Sequence, residues 1–500
     1  MELELTRETL QFERVVNRGG EQVTIEGEAV LPGSMRDAVT VLGVQAQAHI
    51  VSAQAGVGEV LVRGRAQFRA LYTQGDLTRV RTLETTCDFE TRLALAQVTP
   101  SMRADAFAAV QEAQGFAAGG RMTLRAQLDI QTEAIESQER SWIADVSAPA
   151  AEHVELQKRR QTVSFCITGR LGENQTLVRE EFDLPARLKS AEVLCATATA
   201  SADEFSGGNG RIGVSGVVQV RVMHRPAEGG AFVATQHELP FELAIDAQLP
   251  QDAQLQAEAE VMDVMADSAQ TGEGRTLRVE AEVRVTLQLL GQRKAELLED
   301  IYSLSGPVLE PQAEEMQIHT WQSHTHTRES LRLQATLSAD APPVGTMLCA
   351  FVLPSIAETR PAGKRLDVDG VMSATLIYLP VDSDIPCSVR VREPFSMTFP
   401  VEVHGELQVQ AYAIEAAPGP STSDRAEIRC VLGLRAMQHS IRRVRGVTGI
   451  EQRPEEKQER GFVLVWPEEG ESRWDTARRL RVAQESLRPA GGKALLAFRK

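Results

Sequence analysis

Aromatic residues make up only 5% of this chain, so any core must be built largely from Val, Leu and Ala. No long apolar run exists. The longest, around residues 344–353, is far too short to span a bilayer. The first residues, MELELTRETLQFERVV, carry acids where a signal peptide needs a basic region and an apolar stretch. The expected place of the protein is therefore the cytoplasm. Basic residues are outnumbered, 53 Lys and Arg against 69 Asp and Glu, for a net charge of −16. That balance suits neither a phosphate backbone nor an anionic membrane. Nucleic acid and direct membrane insertion are excluded as expectations, and the short cluster Arg442, Arg443, Arg445 reads as solvated surface. Cysteine is scarce too. Cys87, Cys166, Cys195, Cys349, Cys387 and Cys430 form no CxxC pair and no disulfide framework. Cys166 and Cys430 sit in apolar alternation, as small buried hydrophobes do.

What is present is one stretch written three times. Residues 59–72 read EVLVRGRAQFRALY, residues 211–224 read RIGVSGVVQVRVMH, and residues 365–378 read RLDVDGVMSATLIY. Centred on Gly64, Gly216 and Gly370, apolar residues recur at every second position, out to the closing Tyr72, His224 and Tyr378. Period-two alternation puts one face of a β-strand on a core. Each glycine lies on that face, where a missing side chain lets something pack close. A phenylalanine follows each at 25 residues: Phe89, Phe241 and Phe395. The chain thus carries three copies of a domain of about 150 residues, expected to fold separately. An arginine, Arg121, Arg275 or Arg425, precedes the last alternating stretch of each copy. Residues 102–115, MRADAFAAVQEAQG, have helix propensity, but the equivalent residues of the other copies alternate, so a strand is expected there. Each domain reads as antiparallel β with six to eight strands, in a sandwich or partly closed barrel.

The expected boundaries are 1–150, 151–307 and 308–450, then a charged linker at 451–460 containing Pro454, and a different domain at 461–500. In that domain FVLVW (462–466) reads as a strand, and 471–480 as a helix with Trp474, Ala477 and Leu480 on one face. Residues 482–487 read as a second short helix and 494–498 as a strand, a βααβ unit.

No constellation carries chemistry. Gly208-Asn-Gly210-Arg-Ile-Gly213 matches G-x-G-x-x-G, but it opens a strand where a dinucleotide site needs a helix, so it reads as a hairpin loop. His319, His324 and His326 cluster without a Cys or carboxylate to complete a metal site. Adjacent carboxylates such as Glu180 and Glu181 point to opposite faces of a strand. There is no G-x-S-x-G and no HExxH. The expectation is no enzyme, no cofactor and no metal.

VLPGSMRDAVTVL, then EVLVRGRAQFRALY, then the phenylalanine 25 residues past the glycine, resemble the SPOCS domain of SipL-type spore-coat proteins. Members of that family carry SPOCS repeats followed by a LysM domain. Gly470-Glu-Ser-Arg-Trp474-Asp-Thr-Ala477-Arg-Arg-Leu480-Arg-Val482 is similar to the LysM opening. Glu471, Ser472 and Arg473 stand where that opening has Asp, Thr and Leu, and the Asn after the second helix is absent. The resemblance therefore implies the LysM fold without its usual glycan site. It implies a mainly β protein of three sandwich-like SPOCS domains plus the βααβ module. It also implies a non-enzymatic scaffold of endospore coat assembly, recruited from the mother-cell cytoplasm to the forespore surface. The implied partner is the coat-basement ATPase (stage IV sporulation protein A), contacted through Gly470, Arg473, Trp474, Ala477 and Leu480. The alternative is a LysM-type glycan-binding wall protein.

Overall fold

The computed structural model describes residues 3–33, 38–148, 154–208, 210–227, 231–247, 254–271, 274–454, 461–491 and 493–499. It is nearly all β. The first unit has β1 (Glu4–Val30), β2 (Val39–Ala55), β3 (Glu59–Gln74), β4 (Asp76–Ala94), β5 (Arg103–Ala118) and β6 (Arg121–Ser147). The second has β7 (Leu156–Asp183), β8 (Glu192–Gly208), β9 (Arg211–Arg225), β10 (Val233–Asp246), β11 (Gln254–Thr271) and β12 (Gly274–Ser303). The third has β13 (Val308–Thr336), β14 (Val344–Ala362), β15 (Arg365–Pro380), β16 (Cys387–Phe399), β17 (Glu406–Ser421) and β18 (Arg425–Arg453). Every unit pairs its strands in one plan. The second, third and fourth strands form one antiparallel sheet, and the first, sixth and fifth another. In the first unit a single pair, Gln54 with Arg103, joins the two. The alternating residues of the central strands fill the space between the sheets, and each unit has its own core.

The glycine–phenylalanine spacing has a direct cause. Gly64, Gly216 and Gly370 are the register partners of Phe89, Phe241 and Phe395 on the next strand of a hairpin. An added Cβ would lie 2.3 Å from the Phe89 ring at Gly64, 2.1 Å from the Ser201 carbonyl at Gly216, and 2.3 Å from the Ser355 carbonyl at Gly370. The preceding strand bulges at the same place each time, between Ile50 and Ser52, Ala202 and Glu204, Ile356 and Glu358. Ring, glycine and bulge thus form one repeated packing unit.

The outer strands are longer than the sequence pattern indicates. The first and sixth strands of each unit are 27 to 30 residues long and pair along nearly their whole length. Their inner halves belong to the unit's core. Their outer halves form three two-stranded ribbons that pack on one another. Trp142, Phe165, Leu297, Ile318 and Val444 share one buried cluster, and Ile143, Leu298 and Val447 share another. These last three stand at equivalent positions, each just before a bulged residue, Ala144, Glu299 or Thr448. The arrangement resembles a cyclic trimer written into one chain. The units are therefore separate in their inner cores and joined through their outer ribbons. The last strand also pairs out to Arg453, so residues 451–453 belong to it and not to a linker. Residues 455–460 lie outside the described residues, as do Ser34 to Asp37 and Asn209 of the glycine-rich loop. That loop joins β8 to β9.

After β18 come β19 (Gly461–Val465), α1 (Arg473–Leu480), a single 3₁₀ turn (Gln484–Ser486), β20 (Arg488–Gly491) and β21 (Ala494–Arg499). The sheet order is β19-β21-β20. The second helix expected at 482–487 is only that turn. Leu487 is already extended (φ −69°, ψ 122°), as the chain prepares for Pro489, and too few residues remain for helix.

Candidate functional site

The C-terminal module carries all five predicted contact residues. Its helix starts at Ser472, whose side chain accepts from the Asp475 backbone N–H while Asp475 reaches back to the Ser472 N–H, a capping box. It ends at Arg481 in the left-handed region (φ 51°), whose N–H closes on the Ala477 and Arg478 carbonyls. Gly470 supplies a positive φ of 85° in the turn before it. Ala477, Leu480 and Trp474 are buried. They do not face solvent: they join Val465, Val482, Leu487 and Ala497 in the module's buried cluster, which Tyr302 at the end of β12 closes.

One carboxylate organises that contact. Asp300 is 3% exposed. Its Oδ2 accepts from Trp474 Nε1 at 2.7 Å and from Arg478 Nη1 at 3.0 Å, and its Oδ1 accepts from the Ile301 N–H at 2.9 Å. Two residues on, on the same strand face, Tyr302 meets Trp474 edge-on with ring centroids 5.0 Å apart. Its hydroxyl donates to the Val482 carbonyl at 2.8 Å, and burial pushes its pKa up. Arg159 lies 5.4 Å over the Trp474 ring. Arg481 donates to the Ser303 carbonyl at 3.1 Å and to the Gly306 carbonyl at 2.8 Å. Beside this contact a cleft of about 410 Å³ stays open, lined by Tyr302, Ser303 and Leu309 on one side and Arg478, Arg479 and Arg481 on the other.

Of the five predicted contact residues, only Gly470 and Arg473 are exposed. The Arg473 guanidinium donates to the Leu487 carbonyl within the module. The module's free face is the outer side of its sheet, where Phe462, Leu464, Trp466 and Phe498 are exposed. Asp300, Tyr302 and Arg481 escaped the sequence reading. The one available signal was a carboxylate inside the otherwise apolar run around Leu297, Leu298, Ile301 and Tyr302.

A second polar site lies where the three units meet, in a cavity of about 360 Å³. Arg435 of the third unit pairs with Glu258 of the second, lies 4.4 Å over the Phe107 ring of the first, and shares Glu258 with His326 at 3.4 Å. Arg284 bonds Glu260 at 2.5 Å and the Ile50 carbonyl at 2.9 Å, while His49 Nδ1 stands 3.0 Å from Glu260. Arg103 bonds Glu13 and, at 3.2 Å, Asp105. Burial draws the Arg435 guanidinium down to about 10, which leaves it charged at neutral pH. Burial raises Glu260, but His49 and Arg284 outweigh it and hold the carboxyl below its ordinary value. Glu13 is raised, burial outweighing Arg103. Glu13, Asp105, Glu258 and Glu260 each have a cation, so the cluster reads as a lock that sets the units in register.

Among the described residues no three His, Cys, Asp or Glu side chains are grouped to hold a metal. The side chains of His319 and His324 lie outside the described residues. No helix of the described residues is long and apolar enough to cross a membrane.

Residues 37–114 match the family model SipL, SPOCS domain. The match covers β2, β3, β4 and most of β5, including Gly64, Tyr72 and Phe89. No curated protein and no solved structure matches the chain. The SPOCS match points to a sporulation-related protein. Units two and three share its strand plan, with Gly216, His224 and Phe241, and Gly370, Tyr378 and Phe395, in the places of Gly64, Tyr72 and Phe89.

Proposed function

We propose that this chain is a non-enzymatic scaffold of endospore coat assembly. It works in the mother-cell cytoplasm, is recruited to the forespore surface, and tethers coat there through protein–protein contacts. The SPOCS match at 37–114 carries this reading. The recurrence of the same six-strand plan supports it, as does a charge cluster whose carboxylates are already paired. Units two and three are taken as further SPOCS domains, and the C-terminal module as a degenerate LysM domain. The partner is the coat-basement ATPase, and neither cofactor nor metal takes part.

Two measurements test the reading. The purified chain should retain the coat-basement ATPase in a pull-down, and a fluorescent fusion should ring the forespore during sporulation. A fusion spread evenly through the mother cell, with no retention, overturns it. Saturable binding to peptidoglycan or chitin oligomers in calorimetry would favour the wall-binding alternative, and no such binding is expected.

A further inference from the structure

The junction between the module and the body is small: Tyr302 and Leu304 close the module's apolar cluster, around a polar centre. An open cleft of about 410 Å³ runs beside it. The polar centre is one buried carboxylate shared by an indole N–H and a guanidinium. Such pairs fix geometry more than they add affinity. Within one chain, a contact of this kind behaves like a transient interface. The module is also internally complete on the far side: β19 and β21 pair over five residues, and the helix carries both of its caps.

What the body offers the module has the form of a ligand. Asp300 and Tyr302 project from one face of an extended strand, a carboxylate two residues ahead of an aromatic ring. The carboxylate meets Trp474 Nε1 and Arg478, and the ring packs on the Trp474 edge. Arg481 of the module adds positive charge beside the same spot, while Arg159, the cross-strand neighbour of Asp300 on β7, lies over the Trp474 ring from the body's side. On the module's side Arg479 is held by Glu471, which leaves the Trp474 indole N–H with Arg478 and Arg481 as the donors turned to the segment, and these complement an acidic, aromatic strand.

We propose that Asp300 and Tyr302 form an intramolecular plug, and that the groove around Trp474 and Arg478 takes an extended partner segment of the same chemistry, a carboxylate two residues before an aromatic ring. With the plug in place the groove is closed; the partner segment enters by displacing it. The inference rests on the proposed function only in taking the module as a protein-contact module.

The test uses the full chain and no coat protein. In Asp300→Ala/Tyr302→Ala the groove is vacated. A synthetic peptide of residues 298–306, LEDIYSLSG, is titrated by fluorescence anisotropy into this variant and into the wild type. The peptide should bind the variant at least tenfold more tightly than the wild type, and a peptide carrying Asn in place of Asp300 should bind the variant at least tenfold more weakly. Hydrogen exchange should quicken at least tenfold at 473–482 in the variant and stay unchanged in β6. Asp300→Asn, which keeps the side chain's size, should show the same exchange in weaker form. Equal peptide affinity for both chains, or unchanged exchange at 473–482 in both variants, overturns the plug. A positive result together with failure to retain the coat-basement ATPase keeps the plug and discards that partner.

Discussion

At Gly64 an added methyl group would stand 2.3 Å from the Phe89 ring and 2.7 Å from the His49 carbonyl. The ring can give way; the backbone carbonyl in a bulged strand cannot. Gly64→Ala should therefore cost roughly 1–3 kcal/mol, the usual penalty of overpacking. Adding Phe89→Leu should recover part of it, which a double-mutant cycle in urea would read; no coupling between the two would overturn the account. This much was legible, because the partners sit on one hairpin and leave a fixed spacing. His224 is different. It occupies the place of Tyr72 and Tyr378, fully buried, with Nε2 2.8 Å from the Thr235 hydroxyl. Burial first, and His237 second, hold its pKa down at about 4, against an ordinary 6.5. The folded state favours the neutral ring, so its contribution is whole above pH 6.5 and is lost as pH falls toward about 4. The loss is at most roughly 3 kcal/mol. His224→Tyr should remove that part of the acid sensitivity. Urea melts across this pH range in which wild type and variant lose stability in parallel would show that His224 is not its source.

Among the elements, β5 shows how far a repeat outweighs local propensity. Residues 103–118 are rich in Ala, yet they pair with β6 from Arg103–Ile135 to Ala118–Arg121. Ala104 and Ala113 reach the core, where a helix would have left the β6 edge unpaired. The extra length of the outer strands was not legible. Neighbours such as Trp142 and Ile143 point to opposite faces and are both buried, one in each cluster, because the ribbon is covered on both sides, and bulges at Ala144, Glu299 and Thr448 break what period remains. The helix α1 was legible from its stripe, but the stripe does not say what it faces. Trp474 belongs as much to the contact with Asp300 and Tyr302 as to the module's own core. Trp474→Ala should cost about 3–5 kcal/mol, and the substitution also strips Asp300 of a donor. The loss should fall on the module and its contact, seen as faster hydrogen exchange at 461–499 and at 300–304, while β2 to β6 keep wild-type protection. Acceleration spread over the whole chain would place Trp474 in the global core instead.

For the whole molecule the question is how far one unit is complete. Each inner core closes between its two sheets, so a single unit has the means to form its strands. Its outer ribbon does not close. In the first unit Trp142, Ile143 and Val146 are 0% exposed. They are covered by Phe165, Leu298 and Val447 of the other two units. Burying such side chains stabilises by about 1.5–3 kcal/mol each, and a lone unit would leave them in water as one apolar stripe. The charged cavity adds a second demand, since Arg103 and Asp105 face Arg170 and Glu260 across it. The fragment 1–150 should therefore fold its inner strands but self-associate through the ribbon, and sedimentation equilibrium should report a mass above the monomer. The equivalence of Ile143, Leu298 and Val447 makes a cyclic trimer the natural product, with three copies of one unit standing in for the three units of the chain. Trp142→Glu in the fragment should return it to a monomer with unchanged far-ultraviolet circular dichroism. A wild-type fragment that stays monomeric at high concentration with native strand content would mean that the ribbons need no partner, and that the three units are joined by the chain alone.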